Sequence, residues 1–224
     1  MNDYAKKLFD SMYKAYMVED AKFCGEFDIP ECPCTATEIP TDLVYYADSK
    51  IPVNFNGFVH FYMDDYKFDS IWRYATTALK RLKRFAGIIT PDFSTYQDMP
   101  VAFKIYNTYR MRAFGYWLGK QGMQVINNVR WGTPESYMYC FDGIPKNSIV
   151  AISTVGCIKD KRDEQRFTDG LYVMVERLNP SHILVYGKKG RSFFDKYIEN
   201  GTPVTFYDPP DFHTVKFVKK VKIL

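Results

Sequence analysis

The stretch GIITPDFSTYQDMP (87–100) decides how this chain is read. Gly87 to Thr90 form a short apolar run of the kind that makes a strand buried on both faces. Asp98 to Pro100 open a helix, because proline suits the first turn. Between them stands Asp92. A buried strand feeding a helix is half of a βα unit. In parallel α/β architectures, ligands bind beyond the carboxyl ends of the strands. Whether other strands end on chemically capable residues is therefore the question to put to the rest of the sequence.

Outward from that stretch the same alternation recurs. FVHFYMDDY (58–66) is a candidate strand, and DSIWRYATTALKRLKRFAG (69–87) after it carries Trp72, Ala75, Leu79 and Leu82 on one helical face, with Asp69 as N-cap. The helix opened by Pro100 runs to about Gly122, with Ile105, Tyr109, Ala113 and Trp117 spaced to face inward. MQVINNV (123–129), SIVAIST (148–154), HILVYG (182–187) and TPVTFYD (202–208) are further strands. RDEQRFTDGLYVMVERLNP (162–180) and RSFFDKYIENG (191–201) are helices, the first with Phe167, Leu171, Met174 and Leu178 in register. The long segment 132–147 holds one short helix. The expected fold is α/β, a mainly parallel sheet of about six strands with alternating helices, either an open doubly wound sheet or an incomplete barrel. Residues 1–57 form an amphipathic helix (3–17) and a Cys/Pro-rich loop packed on this domain, with a further strand compatible with DLVYYA (42–47). The α/β domain spans 58–211, and 212–224 is a basic tail that alternates lysines with apolar residues.

Composition narrows the function classes. The 224 residues suffice for one sizeable domain. Hydrophobic residues at 46% and charged ones at 25% are ordinary for a globular protein, whereas aromatics at 17% favour a thick aromatic core or a groove that stacks rings. A net charge of +4 permits nucleic-acid contact without demanding it. No apolar run approaches the roughly 18 residues of a membrane span, and the first residues do not read as a signal peptide. Five dispersed cysteines argue against a disulfide framework, and a cytoplasmic location is expected. Cys24, Cys32 and Cys34 lack the spacing of a structural zinc site.

The strand ends carry most of the chemistry: Asp64 and Asp65, then Asp92, Arg130 with Trp131, Ser153 and Thr154 with Cys157, Gly187 with Lys188, and Asp208. Arg130 either pairs with a carboxylate or holds a phosphate or carboxylate ligand. Ser153, Thr154 and the amides around Gly156 are placed to cradle an anion. Cys157 is a small, partly buried thiol rather than a nucleophile, since no histidine stands at a strand's carboxyl end: His60 lies within a strand, His182 opens one, and His213 is in the tail. YGKKGRS (186–192) lacks the full phosphate-loop pattern and reads as a βα turn. The cations Lys80, Arg81, Lys83 and Arg84 read as a solvated helix end.

GIITPDFSTYQDMP, IYNTYRMRAFGYWLGKQGMQVINNVRW (105–131), STVGC (153–157) and VERLNPSHILVYG (175–187), in this order and spacing, resemble the domain-of-unknown-function family 4417, found in bacteria, phages and mobile elements. The resemblance covers roughly 58–190, implies a phage or mobile-element origin, and brings no activity with it.

Two functions compete. The first is an enzyme acting on a phosphorylated or nucleotide-like ligand. Asp92, Asp65 and Ser153 would be its catalytic candidates, the carboxylates serving as general base or as ligands of a divalent cation such as Mg²⁺. Arg130, Thr154, Cys157, Lys188 and Asp64 would then line the ligand, with Trp131 and Tyr96 stacking on a ring. The second is a non-catalytic protein that contacts nucleic acid, a small ligand or a host protein. Oligomeric state stays open.

Overall fold

The computed structural model describes residues 13–50 and 54–210. The helix expected over 3–17 falls largely outside them, with Ala15–Met17 forming one 3-10 turn, and the basic tail lies wholly outside them. The chain opens with a two-stranded antiparallel hairpin, β1 (Phe23–Cys24) and β2 (Ile29–Pro30). A seven-stranded sheet follows: β3 (Leu43–Tyr45), β4 (Phe58–His60), β5 (Gly87–Ile89), β6 (Gln124–Asn128), β7 (Ile149–Ser153), β8 (His182–Tyr186) and β9 (Val204–Tyr207). DLVYYA thus supplies a strand to the main sheet beyond the six apolar runs that announce themselves.

The strands are hydrogen-bonded in simple chain order, and every adjacent pair is parallel. Parallel crossovers are right-handed, so consecutive order leaves all the connecting segments on one face. The packing follows. Val59, Ile88 and Val125 meet Ala78 and Leu82 of helix α2 (Ala75–Leu82) and Met111, Phe114 and Leu118 of helix α3 (Val101–Lys120). Val150, Ile152, Ile183 and Val185 meet Phe167, Leu171, Met174 and Leu178 of helix α4 (Lys161–Leu178). The alternate residues Phe58, Ile89, Ile126, Ala151, Leu184 and Tyr186 form a separate cluster that contains no helix residue. A doubly wound sheet would reverse its strand order and cover both faces with helices. This sheet does neither, and curls around its helix-free face as an incomplete barrel. The edge strands do not pair with each other, but the Tyr186 hydroxyl of β8 donates to that of Tyr45 on β3 across the interior.

The helices follow their sequence signals with local departures. The segment after Asp69 breaks at Tyr74 into a short helix α1 (Ser70–Arg73) and α2, and Asp69 makes no side-chain cap. Trp72, Ala75 and Leu82 are buried as their spacing demands, while Leu79 is half-buried. Asp160 caps α4, its carboxylate accepting the Arg162 and Asp163 amides at 2.9 Å. In α3, Ala113 and Trp117 are buried while Ile105 and Tyr109 are only partly so. The inward face also takes Asn107, Thr108 and Arg112, which gives the helix a polar seam against the sheet.

Arg112 is fully buried. Its guanidinium donates to the carbonyls of Asp142, Asn128 and Cys140, each at 3.0 Å. It thereby ties α3 to the end of β6 and to the loop before β7. Arg112→Met keeps the stem packed and leaves three carbonyls without their donor. It should cost about 3–5 kcal/mol, read as a lowered urea midpoint; an unchanged midpoint would refute this role.

On the concave side, His60 is enclosed by the rings of Tyr45, Tyr62 and Tyr186 at 4.4–5.3 Å. Burial lowers its pKa from 6.5 to about 3. Below pH 6.5 the unfolded chain therefore takes up a proton that the folded chain refuses until about pH 3. Stability from this group is complete above pH 6.5 and is lost as pH falls toward 3. Between pH 7.5 and pH 5 the wild type should lose about 2 kcal/mol more than His60→Gln in urea unfolding. Parallel pH profiles for the two proteins would sink the assignment.

Candidate functional site

β5 ends at Ile89, and the chain beyond it is held to β6 by side chains. Thr90 Oγ1 accepts the Asn128 amide at 2.8 Å. Pro91 then delivers Asp92 over the end of the sheet. Asp92 is 7% exposed, and both its oxygens are engaged. Oδ1 accepts from Asn128 Nδ2 at 2.8 Å, and Oδ2 from Arg130 Nη1 at 3.0 Å. Asn128 in turn offers its carbonyl to Arg112, so one residue at the end of β6 joins the structural guanidinium to the acidic group at the mouth.

Burial lifts the Asp92 carboxyl above the ordinary aspartate range, against the opposing pull of Arg130 and Asn128. Asp92 pushes the Arg130 guanidinium further up, so its charge is permanent. Tyr62 faces the pair. Its hydroxyl is raised well above its usual value, by burial first and Asp92 second, and makes no hydrogen bond within the described residues. Asn128 Oδ1, Thr95 Oγ1 and Thr154 Oγ1 are likewise buried without a partner there.

Arg130 opens onto a cavity of about 140 Å³ beyond the carboxyl ends of β6 and β7. Ser153, Cys157, Trp131 and Tyr96 line it too, so these five positions from three strand ends meet at one place, with Asp92 directly behind Arg130. Trp131 is seated by a close approach to α4: a β-carbon on Gly170 would lie 2.1 Å from its Nε1. The far wall belongs to residues that strand ends do not reveal. Arg166 donates to Gln97 Oε1 at 2.6 Å and pairs with Asp163 at 3.4 Å, and Phe167 stands against Trp131 at 5.2 Å. The sequence signal for this wall was the short distance from STVGC to the first turn of α4.

Several candidates are committed elsewhere. Asp65 accepts the Ser94 amide and hydroxyl, so it fixes the turn that follows Asp92. Asp64 is exposed and pairs with Lys67 at 2.8 Å. Ser153 Oγ donates to the Tyr186 carbonyl at 3.2 Å and accepts the Val155 amide at 3.1 Å. The Cys157 amide is bonded to the Thr154 carbonyl, so two amides expected to cradle an anion already have acceptors. Burial raises the Cys157 thiol, with Arg130 opposing, and so disfavours a thiolate. Thr154 is buried with its hydroxyl against Gly187, whose φ of 141° suits only glycine. Lys188 is exposed and does not line the cavity. Asp208 pairs with Arg191.

Among the described residues no three His, Cys, Asp or Glu side chains come together as a cation site, and no described helix is long and apolar enough to cross a membrane. Cys24, Cys32 and Cys34 are free thiols, with burial pushing Cys32 to about 12.

Two phage proteins are similar to this chain. The Gene 1 protein of Mycobacterium phage L5 is 36% identical over 181 residues, which is 73% of this chain and 79% of the phage protein. The Gene 1 protein of Mycobacterium phage D29 is 39% identical over 132 residues, 59% of this chain and 49% of that protein. No solved structure matches the chain. The family model described as domain of unknown function DUF4417 matches residues 21–207, from β1 through β9, and the chain belongs to that family.

Proposed function

We propose that this protein binds a small phosphorylated or nucleotide-like ligand at the C-terminal mouth of its sheet. The observation that carries this reading is the disposition of Arg130. Its guanidinium is anchored on a buried carboxylate at 3.0 Å and lines a cavity walled by Trp131, Tyr96 and Phe167. A guanidinium offers five donors in a planar fork, so one bond to Asp92 leaves donors for an incoming anion. The anchoring fixes its direction before the ligand arrives, which lowers the ordering cost of binding. The aromatic walls suit a ring. Any divalent cation here would be carried in by the phosphates, because Asp92 and Asp65 already hold hydrogen-bond donors.

A second reading makes the protein an enzyme with Asp92 as general acid or base. It is favoured by a carboxyl raised by burial at the carboxyl end of a strand, where barrel enzymes place such groups. Its double engagement weighs against it, as does the raised Cys157 thiol.

The expected behaviour in thermal unfolding is a rise in midpoint with added AMP or UMP, larger than with inorganic phosphate. Tyr96→Ala, at a residue 58% exposed, should weaken that binding about ten-fold and leave the unliganded midpoint unchanged. Arg130→Met should abolish the rise. It should also cost about 3 kcal/mol or more in stability, because Asp92 is left buried and unpaired. Equal binding by all three proteins, or none by the wild type, would end the proposal. On the enzyme reading, Asp92→Asn retains AMP and loses turnover; wild-type protein that binds AMP without altering it leaves the binding reading alone standing.

A further inference from the structure

A second feature of the fold is independent of the mouth. The 3-10 turn Tyr46–Lys50, the segment 67–74 and α2 enclose an open groove of about 570 Å³. Among the described residues its lining includes Lys50, Lys67 and Arg81, and no carboxylate. Lys67 is neutralised by Asp64 at 2.8 Å, whereas Arg81 has no carboxylate partner among the described residues. The Arg81 guanidinium carbon lies over the Tyr46 ring, 3.7 Å from its centroid, a cation–π contact that positions the group while its N–H donors can still meet an acceptor.

The flanks extend the same sign. Between Asp69 and Asp92 the sequence has no acidic residue and five cations: Arg73, Lys80, Arg81, Lys83 and Arg84. Within this field stand exposed rings. Tyr74 lines the groove at 59% exposure, and Tyr66, beside Lys67, is 80% exposed. Tyr74 shares the groove with Arg81, which has no carboxylate partner among the described residues, while Tyr66 stands beside the paired Lys67. A charged track interleaved with stacking platforms is the physical signature of a surface for single-stranded nucleic acid. Of the four cations at the helix end that reads from sequence as solvated, Arg81 lines this groove.

We infer that this groove binds single-stranded nucleic acid, with Lys50 and Arg81 on the phosphates and Tyr74 stacked on a base. The test is fluorescence anisotropy of the full chain with a fluorescein-labelled oligothymidylate of about twenty nucleotides, across salt from about 50 to 200 mM. Wild-type affinity should fall steeply with salt. Lys50→Gln and Arg81→Gln should each lower the slope of log affinity against log salt by about 0.7. Tyr74→Ala should weaken binding about ten-fold with the slope unchanged. The basic tail is common to all these proteins, so their differences report the groove alone. Arg130→Met should bind the oligonucleotide as the wild type does, which separates this site from the mouth. The inference is overturned if the oligonucleotide is not retained at the lowest salt, or if all variants bind equally. It is also overturned if duplex DNA or anionic phosphatidylserine vesicles show the same affinity and the same sensitivity to Tyr74→Ala.

Discussion

The mouth of this protein depends on how one buried guanidinium is satisfied. Arg112 enters the seam between α3 and the sheet with no carboxylate bonded to it and gives its protons to three carbonyls instead. One belongs to Asn128, the last residue of β6. A backbone held this firmly fixes the direction of the side chain it carries, and the Asn128 amide then fixes Asp92, which fixes Arg130. The sequence of contacts runs from the helix layer through the sheet to the cavity without a mobile link. Burying a charge is expensive, and bonds from all three guanidinium nitrogens to carbonyls help to offset that cost. The same three bonds make the seam a positioning device.

The consecutive strand order has a complementary consequence. With every connection on one face, the concave face must be filled by the strands' own side chains. Tyr45, His60, Tyr62 and Tyr186 do so as a cluster of tilted and stacked rings. This puts a low-dielectric plug beneath the mouth. The Asp92–Arg130 pair therefore has an aromatic neighbour in Tyr62, and burial is the largest cause lifting the Asp92 carboxyl, with the Asp65 charge a smaller one.

The parallel sheet was legible because β5, β7 and β8 are apolar runs followed by helical periods, and β6 keeps an apolar centre at Val125 and Ile126. β3 was harder to read, since Leu43–Tyr45 is three residues long and sits at an edge. Asp92, Arg130, Trp131, Ser153 and Cys157 were legible as neighbours because position at a strand end is a one-dimensional property. Their partners were not. Nothing local separates Asp65, which caps a turn, from Asp92, which holds Arg130; both are acidic residues beyond an apolar run. Asn128 sat in plain view as the second of two asparagines at the end of a buried strand, a position that requires satisfied hydrogen bonds. Arg112 was hidden by its own helix, where an arginine at any position reads as solvent-facing until the packing is known.

How the carboxylates are used separates ligand capture from chemistry at the mouth. A carboxylate that is to take a proton needs a free lone pair aimed at the substrate, and one that is to hold a cation needs companions. Asp92 has no such companions among the described residues, and Asn128 and Arg130 each engage one of its two oxygens, so the lone pairs left over lie beside bound donors. What it supplies is direction: a negative charge behind Arg130 that keeps the guanidinium extended across the cavity and offsets its cost of burial. The charge presented forward is then positive, and the walls beside it are aromatic. A surface of that kind matches the sign and flatness of the phosphorylated ring proposed as its ligand.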